Sequence, residues 1–362
     1  MAKDKIVVIK IGTKVIASSD KTLDKDKLKD VIGQISDILD KGFRVIVVTS
    51  GAIGAGMGLL GLKKRPVKLS QLQATASIGQ GHLMQLYSGY FKERGYLVGQ
   101  ILLTQEDFND RVRYLNIKYT IQTLLDHKAV PVINENDTIS TEEIKCGDND
   151  RLSSLVGDLC HANMLILLTD VGGLLDEKCN VINFVDEITP RILKLTRSSQ
   201  CELGTGGMAS KLDAIRKAAA SGIECVIANG KTKNILVDII DGKSVGTKFK
   251  ASVSKLLAKK RWIAFSSKAK GAIVVDSGAK EALLHKDKSL LASGIVEVDG
   301  NFTAGDVVKV TDKTFREFAK GLANYSSSEL LKIKGLKTGE IKSVLGYKGA
   351  DEVIHKDNLA II

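Results

Sequence analysis

Three groups of residues have the types and spacing for chemistry on anions. Lys10, followed by Gly12 and Thr13, sets a cation, a closely approachable backbone and a hydroxyl in one turn, which suits contact with phosphate. A strand-end lysine without such neighbours usually extends to solvent. The string Gly204-Thr205-Gly206-Gly207-Met208-Ala209-Ser210-Lys211 leads into the helical pattern Leu212, Ile215, Ala218, Ala219. Read as a loop ending at a helix N-terminus, it offers unpaired N–H groups and a positive dipole end, to which Lys211 adds a full charge. A glycine-rich linker is the alternative. The third group is Asn134-Glu135-Asn136-Asp137 with Gly147-Asp148-Asn149-Asp150-Arg151. Its amides can hold a carboxylate and an amine; its carboxylates can bind an ammonium group or organise Mg²⁺ and lysines. Asp148 or Asn149 could also simply cap the helix expected over 152–159.

Two other glycine strings are weaker. Gly56-Met57-Gly58-Leu59-Leu60-Gly61 has the dinucleotide spacing but begins several residues past its strand, and no acid lies between Asp40 and Glu93 to hold a ribose. Gly242-Lys243-Ser244 resembles the end of a P-loop, yet Val237 stands where the first glycine belongs.

Positioning these groups requires strands that end beside them. The chain alternates β-branched runs with longer helical patterns: Ile6–Ile9, then Leu23 to Leu39 at helical spacing, then Val45–Val48. Further strands are expected at Leu97–Leu103, Val130–Ile133, Met164–Leu168 and Cys225–Ala228. This rhythm predicts an α/β fold, an open, mostly parallel sheet sandwiched by helices, whose ligands bind at the carboxyl ends of the strands. Lys10-Ile11-Gly12-Thr13, Thr49-Ser50-Gly51, Asn134 to Asp137 and Thr169-Asp170 all fall at such ends.

With 362 residues, two folding units are expected. The 44% hydrophobic content supplies apolar material for cores and argues against a disordered chain. The net charge of +11 is uneven: residues 1–247 hold 32 basic and 29 acidic residues, 248–270 hold 8 and 0, and 271–362 hold 13 and 13. The division expected is thus a domain over 1–247, a basic linker over 248–270 and a second domain over 271–362. The linker reads first as a solvated or interdomain electrostatic contact and second as an RNA-facing strip. Short apolar runs at Ile273–Val275, Gly294–Val298, Val307–Val310 and Ile341–Leu345, parted by glycines, predict a small mainly β barrel-like tail. Five cysteines without a CxxC pair make a disulfide framework or zinc site improbable and fit a reducing cytoplasm. No apolar run approaches the roughly 18 residues of a membrane span.

Taken in order and spacing over about residues 5–235, these strings resemble the amino acid kinase family, in its branch of glutamate 5-kinases. The resembling strings are Val8-Ile9-Lys10-Ile11-Gly12-Thr13, Thr49-Ser50-Gly51-Ala52-Ile53, Pro131 to Asp137, Lys145 to Asp150, Leu168-Thr169-Asp170 and Gly204 to Met208. The tail, through Val275-Asp276-Ser277-Gly278-Ala279 and Gly300-Asn301-Phe302, looks like a PUA domain. The chain departs from the family after Asp170, where Gly173-Leu174-Leu175-Asp176 replaces a Gly-Leu-Tyr string and Asp-Pro.

The resemblance implies ATP-dependent phosphorylation of the side-chain carboxylate of L-glutamate, the first step of proline synthesis. It implies that Ser50, Gly51, Asp137 and Asn149 bind glutamate, with Asn134 and Asp148 close to it. Lys10, Gly12, Thr13, Thr169, Asp170 and the run Thr205, Gly206, Gly207, Met208, Ala209, Ser210 and Lys211 are the residues expected to hold ATP. Mg²⁺, feedback inhibition by proline, a homodimer or homotetramer, and hand-over of product to glutamate-5-semialdehyde dehydrogenase are implied too. A carboxylate attacking a γ-phosphoryl group needs its charge neutralised, so Lys10 and Lys211 are the expected catalytic cations, with Asp170 or Asp150 orienting them. The nucleophile is already ionised at neutral pH, so a histidine base is not required. The alternatives are a related kinase acting on acetylglutamate or aspartate, and an RNA-binding PUA protein whose kinase half is vestigial.

Overall fold

The computed structural model describes residues 4–18, 22–139, 148–195, 205–251, 260, 262–266, 269–286, 288–347 and 349–362. Contacts divide the chain into two units: Met1–Asp107 with Arg111–Lys255, and Phe108–Asp110 with Leu256–Ile362.

The first unit is built on eight strands: β1 (Ile6–Ile11), β2 (Arg44–Val48), β3 (Leu97–Leu103), β4 (Ala129–Glu135), β5 (Met164–Thr169), β6 (Phe184–Val185), β7 (Glu224–Asn229) and β8 (Thr247–Phe249). They lie in the order β3-β4-β2-β1-β5-β7-β8-β6. The first six in that order are mutually parallel, and β8 turns antiparallel to β7. Every residue of β1 and β4 is buried, as expected of strands covered on both faces. That explains why Val and Ile dominate them. The amphipathic helix α1 (Lys25–Asp40) shows its stripe plainly, with Leu28, Val31, Ile32, Ile35 and Ile38 buried. Asp24 caps it by accepting from the Lys27 N–H at 2.9 Å.

Helices α2 (Ala52–Leu59) and α3 (Leu69–Glu93) follow β2. Their glycines explain the dinucleotide-like string: Gly56 belongs to α2, where an added Cβ would fall 1.9 Å from Thr75 O. Reciprocally, a Cβ at Gly79 would fall 1.8 Å from Ala52 O. The two helix backbones touch, and only hydrogen fits between them.

Helices α4 (Arg111–Asp126), α5 (Asp148–Leu159), α6 (Pro190–Leu195), α7 (Thr205–Ala220) and α8 (Ile235–Ile240) complete this unit. Helix α5 begins at Asp148, four residues earlier than the apolar pattern predicts. Helix α7 begins at Thr205, so Gly207 to Lys211 form helical turns rather than a loop; Gly204 lies outside the described residues.

The second unit holds a five-stranded sheet, β9 (Gly271–Val275), β10 (Ile295–Gly300), β11 (Val307–Thr311), β12 (Glu317–Leu322) and β13 (Leu359–Ile361), in the order β10-β9-β11-β12-β13. With it are α9 (Ser277–His285), α10 (Ser327–Ile333) and α11 (Ile341–Leu345). The last corrects a strand expectation. Ile341, Val344 and Leu345 are spaced i, i+3, i+4, a helical face, and only Ile341 is fully buried. A core of Ile273, Val275, Phe302, Val310, Tyr325 and Leu330, among others, fills the unit.

Of the linker's basic residues, Lys248, Lys250 and Lys270 pair with Glu224, Asp186 and Asp306, while Lys255, Lys259, Arg261 and Lys268 lie outside the described residues. Cys160 and Cys225 are free thiols. Cys179 sits at a tight turn with φ 62°. No described helix is long and apolar enough to cross a membrane.

Gly79→Ala should lower stability by about 1–3 kcal/mol, the usual penalty for forcing atoms into packed space. Gly89→Ala, in the same helix with nothing within 4 Å, should raise it by about 0.5–1 kcal/mol. Urea unfolding of both variants checks this pair of opposite signs.

Candidate active site

Lys10 is the fifth residue of β1, level with Val48 of β2 and Leu167 of β5, and is 5% exposed. Its ammonium is not directed to water. Nζ lies 2.6 Å from Oδ1 of Asp150, in the first turn of α5 and 0% exposed. The other carboxylate oxygen, Oδ2, accepts from Lys211 Nζ at 3.0 Å and from Ser210 Oγ at 3.0 Å. One buried carboxylate thus joins a strand lysine and a helix lysine 201 residues apart in sequence. Burial alone would push the Asp150 carboxyl up. The two ammonium groups overcome it and hold the carboxyl below the usual range, and the N-terminal position in α5 acts in the same direction.

Glycines make room for these cations. A Cβ at Gly207 would lie 3.3 Å from Lys211 Nζ, and one at Gly12 would lie 2.9 Å from Leu168 O and 3.7 Å from Lys10 Nζ. Gly12 N–H donates to Leu168 O at 3.1 Å, closing β1 against the end of β5.

Asp170 does not orient either lysine. It accepts at Oδ2 from Lys14 Nζ at 3.0 Å, and its own Oδ1 accepts from Thr169 Oγ1 at 3.2 Å. Partial burial would raise its carboxyl, and the bond from Lys14 reverses this to hold it low. Lys14, 70% exposed, stands at the open side of the site. Sequence reasoning missed it, although it is one residue past Thr13, itself exposed in the short turn after β1.

On the other side of β1, the ends of β2 and β4 carry a second cluster. Ser50 is buried, and Gly51 adopts φ 101° to start α2, a conformation open to glycine. Asn149 Nδ2 donates to Ser50 Oγ and to Asn134 Oδ1, both at 3.0 Å. Asn134 Nδ2 donates in turn to Gln80 Oε1 of α3 at 2.8 Å. Gln80 was not legible in sequence, where it is one polar residue beside the buried Ala76, Gly79, Leu83 and Tyr87. Beneath the cluster, the buried Tyr87 hydroxyl meets Thr49 Oγ1 at 2.7 Å, and Thr49 Oγ1 donates to Ser50 O at 3.1 Å, fixing the turn that presents Ser50.

Asp137 is half-buried in the turn after β4. Met208 is buried, and Ala209 is exposed on α7. The side chains of Asp148, Thr205 and Gly206 lie outside the described residues. The structure therefore brings Lys10, Lys211, Ser210 and Asp150 together, gathers Ser50, Asn134 and Asn149 next to them through consecutive residues of α5, and sets Thr169 and Asp170 with Lys14. Chemically, the first cluster is a fixed pair of cations sharing one anion, a net positive site for an anionic group. The second is an array of amide and hydroxyl groups suited to a small polar molecule.

Comparison with known proteins follows the same division. The amino acid kinase family matches residues 5–229 and the PUA domain matches residues 271–345. The glutamate 5-kinase of Caldanaerobacter subterraneus subsp. tengcongensis is 47% identical over 362 residues, 98% of this chain and 97% of the relative. That of Syntrophus aciditrophicus is 44% identical, covering 99% of this chain and 94% of the relative. Among solved structures, carbamate kinase from Giardia lamblia bound to AMP-PNP aligns with 70% of this chain and all of its own, at 18% identity and a TM-score of 0.48.

Asp150→Asn leaves two ammonium groups near a neutral amide, so stability should fall by about 3–5 kcal/mol, as when one partner is removed from a buried pair. Because the folded carboxyl titrates below its unfolded value, its contribution is complete above the ordinary carboxylate range and is lost as pH falls through the folded value. The stability gap between wild type and variant should stay constant from about pH 5 to 8 and shrink below about pH 4. Denaturant titrations at stepped pH measure it.

Proposed function

The chain belongs to the amino acid kinase family, and from that premise we propose that it transfers the γ-phosphoryl group of ATP to the side-chain carboxylate of L-glutamate, giving L-glutamyl 5-phosphate and ADP. The observation that carries this reading is the buried Asp150 holding Lys10 and Lys211 beside the Ser50–Asn149–Asn134 cluster.

A carboxylate is a weak anionic nucleophile, and the γ-phosphoryl group is anionic as well. Catalysis therefore consists of aligning the two and neutralising their repulsion. In this reading Lys10 and Lys211 face the transferring group, and Asp150 positions both without discharging them: two cations and one anion leave one net positive charge where negative charge gathers. Ser50, Gly51, Asn134, Asp137, Asp148 and Asn149 hold the amino acid. Gly12, Thr13, Thr169, Asp170 and the start of α7, Thr205 to Lys211, hold the nucleotide. Glutamate arrives ionised, so no base is needed.

Mg²⁺ belongs to the same reading. Among the described residues no three of His, Cys, Asp and Glu converge on one point, and Asp150 is committed to two lysines. This donor set fits an ion held chiefly by phosphate oxygens and water, with the half-buried Asp170, paired with the exposed Lys14, as the protein carboxylate offered to it. Bound there, Mg²⁺ would neutralise charge on the β- and γ-phosphate oxygens.

The reading also includes feedback inhibition by proline, a homodimer or homotetramer, and direct hand-over of the labile acyl phosphate to glutamate-5-semialdehyde dehydrogenase.

Lys10→Ala and Lys211→Ala should each lower kcat by about 10²–10³-fold, the scale of losing one preorganised electrostatic donor. A coupled ADP-release assay with L-glutamate, aspartate and acetylglutamate, with and without proline, tests the whole reading. Turnover should require L-glutamate and decline with proline; folded protein without glutamate-dependent turnover sinks it.

A further inference from the structure

The amide cluster is left with two loose ends, and their identities are fixed. Side-chain amides can be turned end for end, so an orientation needs an anchor that cannot turn. Here it is the backbone N–H of Glu135, which donates to Asn134 Oδ1 at 2.9 Å. With that oxygen fixed, Asn134 Nδ2 faces Gln80, and only an oxygen of Gln80 can accept from it at 2.8 Å. Likewise Asn149 must turn Nδ2, not its oxygen, toward Asn134 Oδ1. Two atoms remain: Gln80 Nε2, a donor, and Asn149 Oδ1, an acceptor. Both are buried and without a hydrogen-bond partner among the described residues.

Each such atom left unpaired costs about 1–3 kcal/mol. A ligand that supplies an acceptor to the first and a donor to the second removes that penalty. The α-carboxylate and α-ammonium of an amino acid are such a pair, one carbon apart. The sheet order sets which end of the ligand comes here. From the Lys10–Asp150–Lys211 cluster on β1, the next strand is β2 with Ser50 after it, then β4 with Asn134, and Gln80 joins from α3 beyond Asn134. A side-chain carboxylate placed at the lysines leaves the α-carbon end at the amides. Helix α3 is held here by the backbone contact at Gly79, one residue before Gln80.

We propose that Gln80 is a substrate-specificity residue, donating from Nε2 to the α-carboxylate of the amino-acid substrate while Asn149 Oδ1 accepts from its α-ammonium. The inference rests on the function proposed above, since it takes the side-chain carboxylate to be the reacting one.

The test uses the full chain and two ligands, L-glutamate and 4-aminobutyrate, which is glutamate lacking only the α-carboxylate. Gln80→Glu keeps an oxygen for Asn134 Nδ2 but replaces the free donor with negative charge; Gln80→Met removes the donor without adding charge and leaves Asn134 Nδ2 a thioether as a weak acceptor. Binding by calorimetry, with 4-aminobutyrate also read by competition against L-glutamate, gives the four comparisons. L-Glutamate affinity should fall about 10–100-fold in both variants, the worth of a hydrogen bond to a charged group. Affinity for 4-aminobutyrate should stay within about twofold of wild type, since that ligand never used the donor. Equal losses for the two ligands would make Gln80 purely structural and overturn the inference, as would undiminished L-glutamate affinity. Should Gln80→Glu not fold, Gln80→Met decides by the same criterion. Wild-type protein that turns over L-glutamate while its variants lose both ligands alike overturns this inference alone; a wild type without such turnover overturns the proposed function with it.

Discussion

A single buried carboxylate holds the chemistry of this chain together. Asp150 is inaccessible to water, yet it remains charged because Lys10 reaches it from β1 and Lys211 from α7. Burying three charged groups is a poor way to stabilise a protein, because desolvation offsets much of the attraction. The arrangement makes sense as preorganisation: two ammonium groups are fixed before any anion arrives, in a low-dielectric surrounding where their charge is felt strongly. The fold serves that end. The parallel strand β1, covered on both faces, keeps the Lys10 side chain from escaping to solvent, and α5 places Asp150 and Asn149 on adjacent positions so that one helix turn serves both the cation pair and the amide cluster.

The amide cluster depends on a different constraint, the close approach of α2 and α3. Gly56 and Gly79 allow the two helix backbones to touch, and this contact carries Gln80 to the end of β4. Gly56, the first glycine of the string that imitates a dinucleotide motif, is therefore a packing residue, and its effect on a ligand runs through the helix it positions.

Much of this was legible in the sequence. Fully buried parallel strands force continuous β-branched runs, so β1, β2, β4, β5 and β7 stand out, and the residues following them collect at one sheet edge by topology alone. Lys10, Ser50, Asn134 and Thr169 are visible for that reason. Less visible is whatever depends on side-chain reach across the fold. Nothing in the spacing of Asp150 and Asp170 says which of them receives the lysines, and it is the burial of Asp150 between β1 and α7 that decides. Gln80 lies on a long helix where one polar residue among many carries no local signal. Glycine-rich strings mislead because glycine marks both loops and tight helix starts: Gly207 to Lys211 are helical. In the tail, Ile341–Leu345 is too short for its apolar count to separate strand from helix, and the i, i+3, i+4 spacing is the better guide.

The central claim is that Asp150 acts through the two lysines rather than on the substrate directly. A double-mutant cycle on kcat for L-glutamate phosphorylation, using Asp150→Ala, Lys211→Ala and the combined variant, tests this most directly. If Asp150 acts through the lysines, its removal has only the hold on Lys10 left to disturb once Lys211 is gone, and the double variant should lose clearly less than the product of the single losses. Independent, multiplicative losses would contradict the account and give Asp150 a role of its own.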